Sequence, residues 1–438
     1  MSKKRVKKIQ DNDGTYNFLH HYVSLVLKLS YRSILQVGRE NIPTNGAIIF
    51  APNHTNTLMD ALVVLTMDHK PKVFVARADI FKNRKLAKIF TFLKIMPIMR
   101  QRDGFRAVKK NQETIDKAVD VLKNKIPFCI FPEGTHLAKF SSLPLSKGIF
   151  KIAFQAHEQM PQVPLYIMPV GIRYGNHFRF RSTVRMEYGK PINVGAYLAE
   201  NADLTPQEQM NRMKGLLAER LHATLFHIPN DEDYDATYEV CNAVESIEVE
   251  KLEKAHSLEM QFQANNNTLK RIETIKSNDP NKAQKLLELG KEANRLRKKR
   301  GISVESASVK KPFVSRIPRT ILTLLTLPYT LPVSILASPL ALLCKYIFTM
   351  LKDPAFRNSV RFLMNLFVWP LLVMIYAIIA FCLLPWQCAL PVTLLIMPAP
   401  YVAHELWKSI RLVVSDIKLM KEKKLRKIYA QIRKMIME

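Results

Sequence analysis

The sequence is poor in cysteine and in acidic residues. Its five cysteines form no Cys-x-x-Cys pair, and 37 acidic side chains stand against 66 basic ones, a net charge of +29 over 438 residues. The cysteine pattern argues against disulfides and predicts buried free thiols in a reducing compartment. The charge excess predicts an anionic partner: nucleic acid, an anionic lipid surface or a phosphorylated substrate.

Several motifs that would define other protein classes are also missing. Without zinc-finger spacing or an aromatic-glycine ribonucleoprotein motif, we expect no nucleic-acid partner, and no metal-ligand spacing is present. The basic N-terminus leads into a polar stretch at 11–14 rather than an apolar one, so no secretory signal is predicted. A hydrolase using Ser141 or Ser142 is disfavoured, because no Gly-x-Ser-x-Gly elbow exists.

Apolar residues are concentrated near the C-terminal end, which predicts a membrane region at 312–403. Prolines interrupt about 321–343, so this stretch is expected to be re-entrant, whereas about 362–403 reads as a helical hairpin divided at Pro385. Basic flanks predict a multi-pass membrane protein whose soluble parts face the cytoplasm. The basic tail, 404–438, is expected to be an amphipathic helix on anionic lipid, with packing on another domain as the alternative.

Two further segments surround the central part of the chain. Residues 1–37 combine a basic N-terminus with an amphipathic helix at 15–37, which is either an interfacial anchor or a packing helix. Residues 231–311 are polar and charged and predict a helical extension, with helices near 244–275 and 280–298, followed by a linker.

The central part, 38–230, alternates short apolar runs with helical patterns. The runs at 47–51, 72–76, 127–131, 166–172 and 183–188 have strand length, and helical patterns lie near 56–67, 84–94, 107–124, 146–159 and 204–227. This alternation predicts an α/β domain with a mixed, mostly parallel sheet flanked by helices.

Two segments that follow predicted strands could carry chemistry. One contains His54 and Asp60, which could act as a base and its orienting carboxylate, although a lone histidine near a helix start is more often a cap or a polar surface residue. The other contains Glu133 and Gly134 in a Pro-Glu-Gly loop, which could present a carboxylate and backbone N–H groups or be an ordinary turn.

Together these segments resemble the glycerolipid acyltransferase superfamily, which includes glycerol-3-phosphate and 1-acylglycerol-3-phosphate acyltransferases. Its four blocks are matched in order by 53–60, 97–103, 131–135 and 163–170, and the resemblance covers about residues 40–195. It implies a membrane-bound enzyme of phospholipid synthesis. Such an enzyme moves a fatty acyl group from acyl-CoA or acyl-carrier protein to a hydroxyl of glycerol-3-phosphate or 1-acylglycerol-3-phosphate, without a cofactor.

The resemblance also implies roles for individual residues. His54 would be the general base and Asp60 its partner. The acceptor would be held by the basic and loop residues of the later blocks, with charge and bidentate hydrogen bonds serving its phosphate. These expected substrate-binding residues are Arg100, Arg102, Glu133, Gly134, Thr135 and Lys139.

The sequence departs from the family pattern at two points. Five residues separate His54 from Asp60 instead of four, as in fungal-type glycerol-3-phosphate acyltransferases, so the two side chains would not share a face of a regular helix. His54 must therefore lie in the loop before the helix, or the first turn must be widened. His136 stands where the third block commonly has arginine, which puts phosphate binding at this position in doubt.

A non-enzymatic membrane scaffold or tether is the alternative interpretation, because more than half of the chain lies outside the four blocks. Against it, a protein without catalytic activity need not keep His54, Asp60 and Glu133 together.

Overall fold

The computed structural model describes residues 8–11, 13–68, 70–99, 106–252, 257–309 and 312–438. The chain divides into two compact units. Unit 1 consists of Met1–Leu225 together with the short segment Asp353–Ser359, and unit 2 consists of Phe226–Lys352 and Val360–Glu438. The segment 353–359 therefore belongs with a unit from which it is distant in sequence.

Unit 1 is built on one mixed sheet, for which the described residues supply eight strands. They are β1 (Ser33–Val37), β2 (Ala47–Pro52), β3 (Val73–Arg77), β4 (Ile95–Ile98), β5 (Phe128–Cys129), β6 (Leu165–Tyr174), β7 (Thr183–Tyr188) and β8 (Ile192–Asn193). Their order is β1-β7-β6-β2-β5-β3-β4, with β8 on β6. Strands β6, β2, β5, β3 and β4 are mutually parallel, whereas β7 and β8 run antiparallel to β6.

Helices flank this sheet and supply much of its core. They are α1 (Gly14–Ser30), α2 (Leu58–Leu65), α3 (Arg84–Phe92), α4 (Arg106–Lys123), α5 (Gly148–Gln159), α6 (Val194–Glu200) and α7 (Pro206–His222). Ile49 of β2 and Ile167 of β6 are fully buried in one apolar cluster with Leu122 of α4, Ile149 of α5 and Leu217 of α7. The predicted fold class, a mostly parallel sheet flanked by helices, is confirmed.

The N-terminal segment differs from its prediction. The helix expected over 15–37 ends at Ser30, because Tyr31 takes an extended conformation, and Ser33–Val37 forms a strand parallel to β7. The side chains of this strand are only partly buried. Its apolar residues fit the helical spacing of the preceding segment, and for that reason a helix was predicted here instead of a strand. Strands β4 and β8 were likewise not predicted.

Unit 2 is helical. Its helices are α8 (Tyr234–Lys251), α9 (Leu258–Asn278), α10 (Pro280–Arg300), α11 (Val304–Ala307), α12 (Pro312–Leu336), α13 (Ser338–Met350), α15 (Trp369–Leu383), α16 (Trp386–Ile396), α17 (Ala399–Lys421) and α18 (Lys423–Met437), while α14 (Arg357–Leu363) begins in unit 1. Four helices, α8 to α11, thus lie in the described part of the extension for which two were expected.

A buried ionic group joins three helices of unit 2. Arg297 of α10 donates from Nε to both carboxylate oxygens of Glu239 of α8, at 2.8 and 2.9 Å, and the hydroxyl of Tyr429 of α18 donates to the same carboxylate at 2.6 Å. Removing one partner of such a group leaves an uncompensated buried charge, which typically costs several kcal/mol. These bonds therefore fix how α8, α10 and α18 pack together.

The predicted lipid-surface role for the whole basic tail is wrong for its last helix. Leu425, Ile428, Ile432 and Ile436 of α18 are buried within unit 2. The alternative, packing against protein, is what the structure shows. An apolar stripe at helical spacing cannot by itself distinguish lipid from protein as its partner.

Two described helices are long and apolar enough to cross a membrane, Arg316–Leu336 and Pro354–Leu383, and a third candidate is the pair α16 and α17, bent by 51°. The re-entrant break expected at 321–343 is wrong in part, because α12 continues through Pro318, Pro328 and Pro332. The division at Pro385 is present, between α15 and α16.

The cysteines are all free. Cys129, Cys241 and Cys344 are buried as expected, whereas Cys382 and Cys388 are exposed on the apolar helices α15 and α16, so the prediction is wrong for these two.

Candidate active site

Three parallel strands bring the candidate catalytic residues to one edge of the sheet. Strand β2 ends two residues before His54, β5 ends four residues before Glu133, and β6 ends at Tyr174. Because the strands are parallel, their carboxyl ends meet at the same edge, where α/β folds place their sites. The Asn53 side chain, which directly follows β2, bonds to Ile172 of β6. Its amide group donates to the carbonyl of Ile172 at 3.0 Å, and its amide oxygen accepts from the backbone N–H of Ile172 at 2.6 Å.

His54 and Asp60 are hydrogen-bonded despite the longer spacing. His54 Nδ1 lies 2.8 Å from Asp60 Oδ2, and the same oxygen accepts the backbone N–H groups of Thr55 and Asn56 at 2.8 and 2.7 Å. Helix α2 begins only at Leu58. Of the two geometries predicted for this spacing, the one with His54 in the loop before the helix is therefore correct.

The second oxygen of Asp60 is held by a tyrosine that the sequence analysis missed. The hydroxyl of Tyr174 lies 2.7 Å from Asp60 Oδ1, and both side chains are fully buried. Burial and the neighbouring Asp60 carboxylate raise the pKa of Tyr174 well above its usual value, so this hydroxyl stays protonated and donates. With Asp60 accepting on both oxygens, His54 Nδ1 carries a proton and its Nε2 is left for a substrate.

Glu133 is a buried carboxyl beside the dyad. Its side chain is only 6% exposed, and neither oxygen has a well-formed hydrogen bond within the described residues. Burial raises the pKa of Glu133 to about 8, against the opposing effect of the backbone groups of His54 and Leu143. Gly134 has a φ of +66°, which favours glycine, and both Gly134 and Thr135 are exposed. The loop therefore offers a neutral carboxyl group and an open backbone turn.

Backbone hydrogen bonds attach this loop to the dyad. The N–H of Leu137 donates to the carbonyl of His54 at 3.0 Å, and the N–H of Ser146 donates to the carbonyl of Pro132 at 2.7 Å. The rings of His54 and Phe131 stack with centroids 4.4 Å apart. The first and third sequence blocks thus form one site, and the His54 side chain remains 20% exposed within it.

A second histidine lies next to the first. The ring of His136 meets the ring of His54 edge to face, with centroids 5.7 Å apart, and His136 Nε2 lies 2.8 Å from Oδ2 of Asp353. Asp353 comes from the distant segment of unit 1. Its contact with the site had no signal in the sequence, because 217 residues separate the two partners.

The expected basic residues are only partly described. Arg100 and Arg102 lie outside the described residues, so their role in holding phosphate stays a prediction. Lys139, four residues after Thr135, is half-buried. Its binding of phosphate likewise stays a prediction.

Ser142, one of the two serines considered for the disfavoured hydrolase, lies 2.6 Å from Nε2 of His222, an exposed pair. Within the part of the chain that the structure describes, no three His, Cys, Asp or Glu side chains are grouped to hold a metal ion.

Comparisons with known proteins identify the class to which this site belongs. Residues 33–173 match the model of the family described as Acyltransferase. This match confirms, for residues 33–173, the resemblance to the glycerolipid acyltransferase superfamily that the four sequence blocks carry.

Individual relatives match only part of the chain. Glycerol-3-phosphate O-acyltransferase 2 of Saccharomyces cerevisiae is 30% identical over 145 residues, which is 32% of this chain and 19% of the yeast protein. A probable 1-acyl-sn-glycerol-3-phosphate acyltransferase of Mycoplasma pneumoniae is 24% identical over 176 residues, 38% of this chain and 62% of that protein. The match thus spans less than two thirds of either relative.

Among solved structures, the 1-acyl-sn-glycerophosphate acyltransferase of Thermotoga maritima superposes with a TM-score of 0.36 at 20% identity. The superposition covers 49% of this chain and 82% of that one.

Removing the Tyr174 hydroxyl should weaken the dyad without removing it. We expect Tyr174→Phe to lower kcat for acyl transfer about 10-fold, because one oxygen of the buried Asp60 carboxylate loses its partner. Tyr188→Phe is the matched control, since Tyr188 is also buried but bonds to Gln36 instead. Equal losses in the two variants would contradict the role given to Tyr174.

The Glu133 carboxyl predicts a pH-dependent stability. Its pKa is about 8 in the folded protein against 4.5 in the unfolded chain, so the unfolded chain releases this proton first and stability falls as pH rises between these values. We expect the Tm of Glu133→Gln, relative to the parent protein, to increase steadily from pH 5 to pH 8.

The exposed Glu200 provides the control for this measurement. Thermal unfolding of Glu200→Gln should run parallel to that of the parent protein over the same pH range. A Glu133→Gln curve that also runs parallel would show that this carboxyl is already ionised in the folded state.

Proposed function

We propose that this chain transfers a fatty acyl group from an acyl thioester, acyl-CoA or acyl-carrier protein, to a hydroxyl of glycerol-3-phosphate or 1-acylglycerol-3-phosphate. The observation that carries the proposal is the His54–Asp60 pair. The two side chains are hydrogen-bonded at 2.8 Å, and of the two only the His54 side chain is exposed to solvent. The activities for which the relatives are named agree with this reaction. A hydrogen-bonded dyad of this kind favours catalysis over the scaffold alternative.

In the first step, Nε2 of His54 removes the proton of the acceptor hydroxyl as the oxygen attacks the thioester carbonyl. Asp60 holds the proton on Nδ1 and stabilises the imidazolium cation that forms. Since Asp60 is fixed by two backbone N–H groups and Tyr174, the ring of His54 is oriented before the substrate arrives.

In the second step, the carbon–sulfur bond of the tetrahedral intermediate breaks. The imidazolium of His54 returns its proton to the departing thiolate, so the products are the ester and a free thiol and the histidine is neutral again. The residues that hold the acceptor are proposed to be Arg100, Arg102, Glu133, Gly134, Thr135 and Lys139. No cofactor takes part in this scheme.

The general base can be tested directly. We expect His54→Ala to lower kcat by about 10²- to 10⁴-fold, the usual contribution of a positioned general base. The assay uses the purified full chain, labelled acyl-CoA and a panel of acceptors: glycerol-3-phosphate, 1-acylglycerol-3-phosphate and glycerol. His21→Ala is the control, because His21 lies on α1 and bonds to the carbonyl of Asn17 within the same helix.

Two outcomes would contradict the proposal. Full activity in His54→Ala would remove the role given to this residue. A parent protein that acylates none of the phosphorylated acceptors would remove the proposed reaction.

We further propose that the chain is a multi-pass membrane protein with unit 1 on the cytoplasmic side. The two candidate spans support this, and Arg316 and Arg319 lie at the start of the first. Unit 1 itself exposes apolar side chains on α3, among them Leu86 and Ile89. The Ile89 side chain is 51% exposed. Because α3 also carries Arg84, Lys85 and Lys88, its surface is suited to anionic lipid.

Depth-dependent quenching tests this contact. A fluorophore on cysteine introduced at Ile89, with the exposed Cys382 and Cys388 replaced by serine, should be quenched by spin-labelled lipid in anionic bilayers. Thr91 lies on the same helix and is exposed, and a fluorophore placed there should be quenched less. Equal quenching at both positions would contradict the proposed orientation of α3.

A further inference from the structure

The segment Asp353–Ser359 of unit 1 contacts loops of the candidate site although it is distant from them in sequence. The Asn358 side chain donates to the carbonyl of His177, in the loop after β6, at 2.6 Å. The ring of Phe356 packs edge-on against that of His136, in the loop after β5, with centroids 5.5 Å apart. The segment is thus attached to two of the three loops that follow the parallel strands of the site.

The third attachment is to Thr57, in the loop between β2 and α2. Thr57 Oγ1 lies 2.8 Å from Ser359 Oγ and 3.5 Å from the carbonyl oxygen of Ala355. The side chains of Thr57 and Ser359 are only 6% and 4% exposed, so the two hydroxyls meet away from water. A buried hydroxyl that loses its partner is costly, and the contact therefore holds the two chain segments together.

The backbone of Thr57 is strained. Its φ is +49°, and it is the only β-branched residue with a positive φ among the residues that the structure describes. Such a conformation is rare for a side chain of this shape and persists only where surrounding contacts impose it. The bond to Ser359 is a contact of this kind, because it fixes the side chain of the strained residue itself.

The position of Thr57 connects this contact to the chemistry. The two residues before it, Thr55 and Asn56, direct their backbone N–H groups at Asp60 at 2.8 and 2.7 Å, and α2 begins directly after it. The backbone of Thr57 therefore sets how the loop turns back toward the carboxylate that orients His54. A shift at Thr57 would move both N–H groups away from Asp60.

We propose that Ser359 is a positioning residue for the His54–Asp60 pair and acts through the hydroxyl of Thr57. The segment that carries Ser359 also opens the long apolar helix Pro354–Leu383, so the start of a candidate membrane span fixes the catalytic loop. The inference rests on the proposed function, because that function assigns the proton transfer to this pair.

The test needs one readout that does not depend on acyl transfer. Hydrogen exchange of the backbone amides, measured on the full chain in lipid nanodiscs, reports local opening of the loop directly. Steady-state kinetics on the same samples give kcat and the KM values of the acceptor and of acyl-CoA. Ser24→Ala is the matched control, because Ser24 is also a buried serine of unit 1 but bonds within α1, to the carbonyl of His20.

In the exchange measurement, we expect Ser359→Ala to speed exchange at the amides of Thr55 and Asn56 about 5- to 30-fold, as for a buried hydrogen bond that loses one partner. The amides of β2 should exchange as in the parent protein, because the sheet itself is not altered. Ser24→Ala should leave the amides of Thr55 and Asn56 at the parent rate.

In the kinetics, Ser359→Ala should lower kcat about 10-fold and leave both KM values within about 3-fold, because the loop orients the base without holding a substrate. In the His54→Ala background the same substitution should have no further effect on the residual rate, since a residue that acts through His54 has nothing left to position.

Substitutions at Thr57 test whether its hydroxyl is the link. Thr57→Val keeps the branched shape and the strained backbone but removes the hydroxyl, so it should reproduce the losses of Ser359→Ala. Thr57→Ser keeps the hydroxyl and should recover most of the rate and of the amide protection. The double variant of Ser359→Ala and Thr57→Val should lose no more than either single variant, because both remove the same bond.

Several results would overturn the inference. Unchanged exchange at Thr55 and Asn56 in Ser359→Ala refutes it, and an equal rise in exchange throughout β2 would show general destabilisation instead. Additive losses in the double variant, or a further loss in the His54→Ala background, would also contradict it. If the parent protein shows no acyl transfer, the proposed function fails, but the exchange rates still decide whether Ser359 holds the loop.

Discussion

The buried carboxylate of Asp60 is the group on which the geometry of the site depends. It accepts hydrogen bonds from two backbone N–H groups of the loop before α2, from the ring of His54 and from the hydroxyl of Tyr174, so each of its oxygens is used. A fully buried carboxylate needs such partners, since an unpaired one would cost far more than any single hydrogen bond returns. The same contacts that make its burial possible also orient the histidine.

This arrangement explains how the longer His54–Asp60 spacing is accommodated. The additional residue lengthens the loop, and the first turn of α2 stays regular. Because Thr55 and Asn56 direct their backbone N–H groups at Asp60, the loop wraps around the carboxylate that it precedes. The sequence left two geometries open, and only the backbone hydrogen bonds distinguish them.

Most of the sheet and the core of the site were predictable from local patterns. The apolar runs at 47–51 and 166–172 mark buried strands, and motifs directly after strands pointed to His54 and Glu133. Strand β1 was missed because its half-exposed residues continue the pattern of α1. Tyr174 gave only a faint signal, because it lies two residues beyond the predicted strand 166–172.

Other features have no local signal at all. Asp353 meets His136 only through folding, and nothing around it distinguishes it from the other polar residues near apolar helices. The prolines of α12 were expected to break the chain, whereas the helix continues through them. The stripe of α18 was assigned to lipid because its helical period is the same whichever surface covers it.

The distant origin of Asp353 also has a consequence for the order of assembly during translation. The sheet of unit 1 and its dyad are complete in sequence by Leu225, but the ribosome must add 128 further residues before Asp353 is made. At elongation rates of about 5–20 residues per second, this delay is roughly 6 to 26 seconds. Throughout that interval the nascent chain holds His54 and Asp60 but lacks the partner of His136. The second histidine is therefore fixed only after the apolar helix Pro312–Leu336 and its successor, Ser338–Met350, have been synthesised in full.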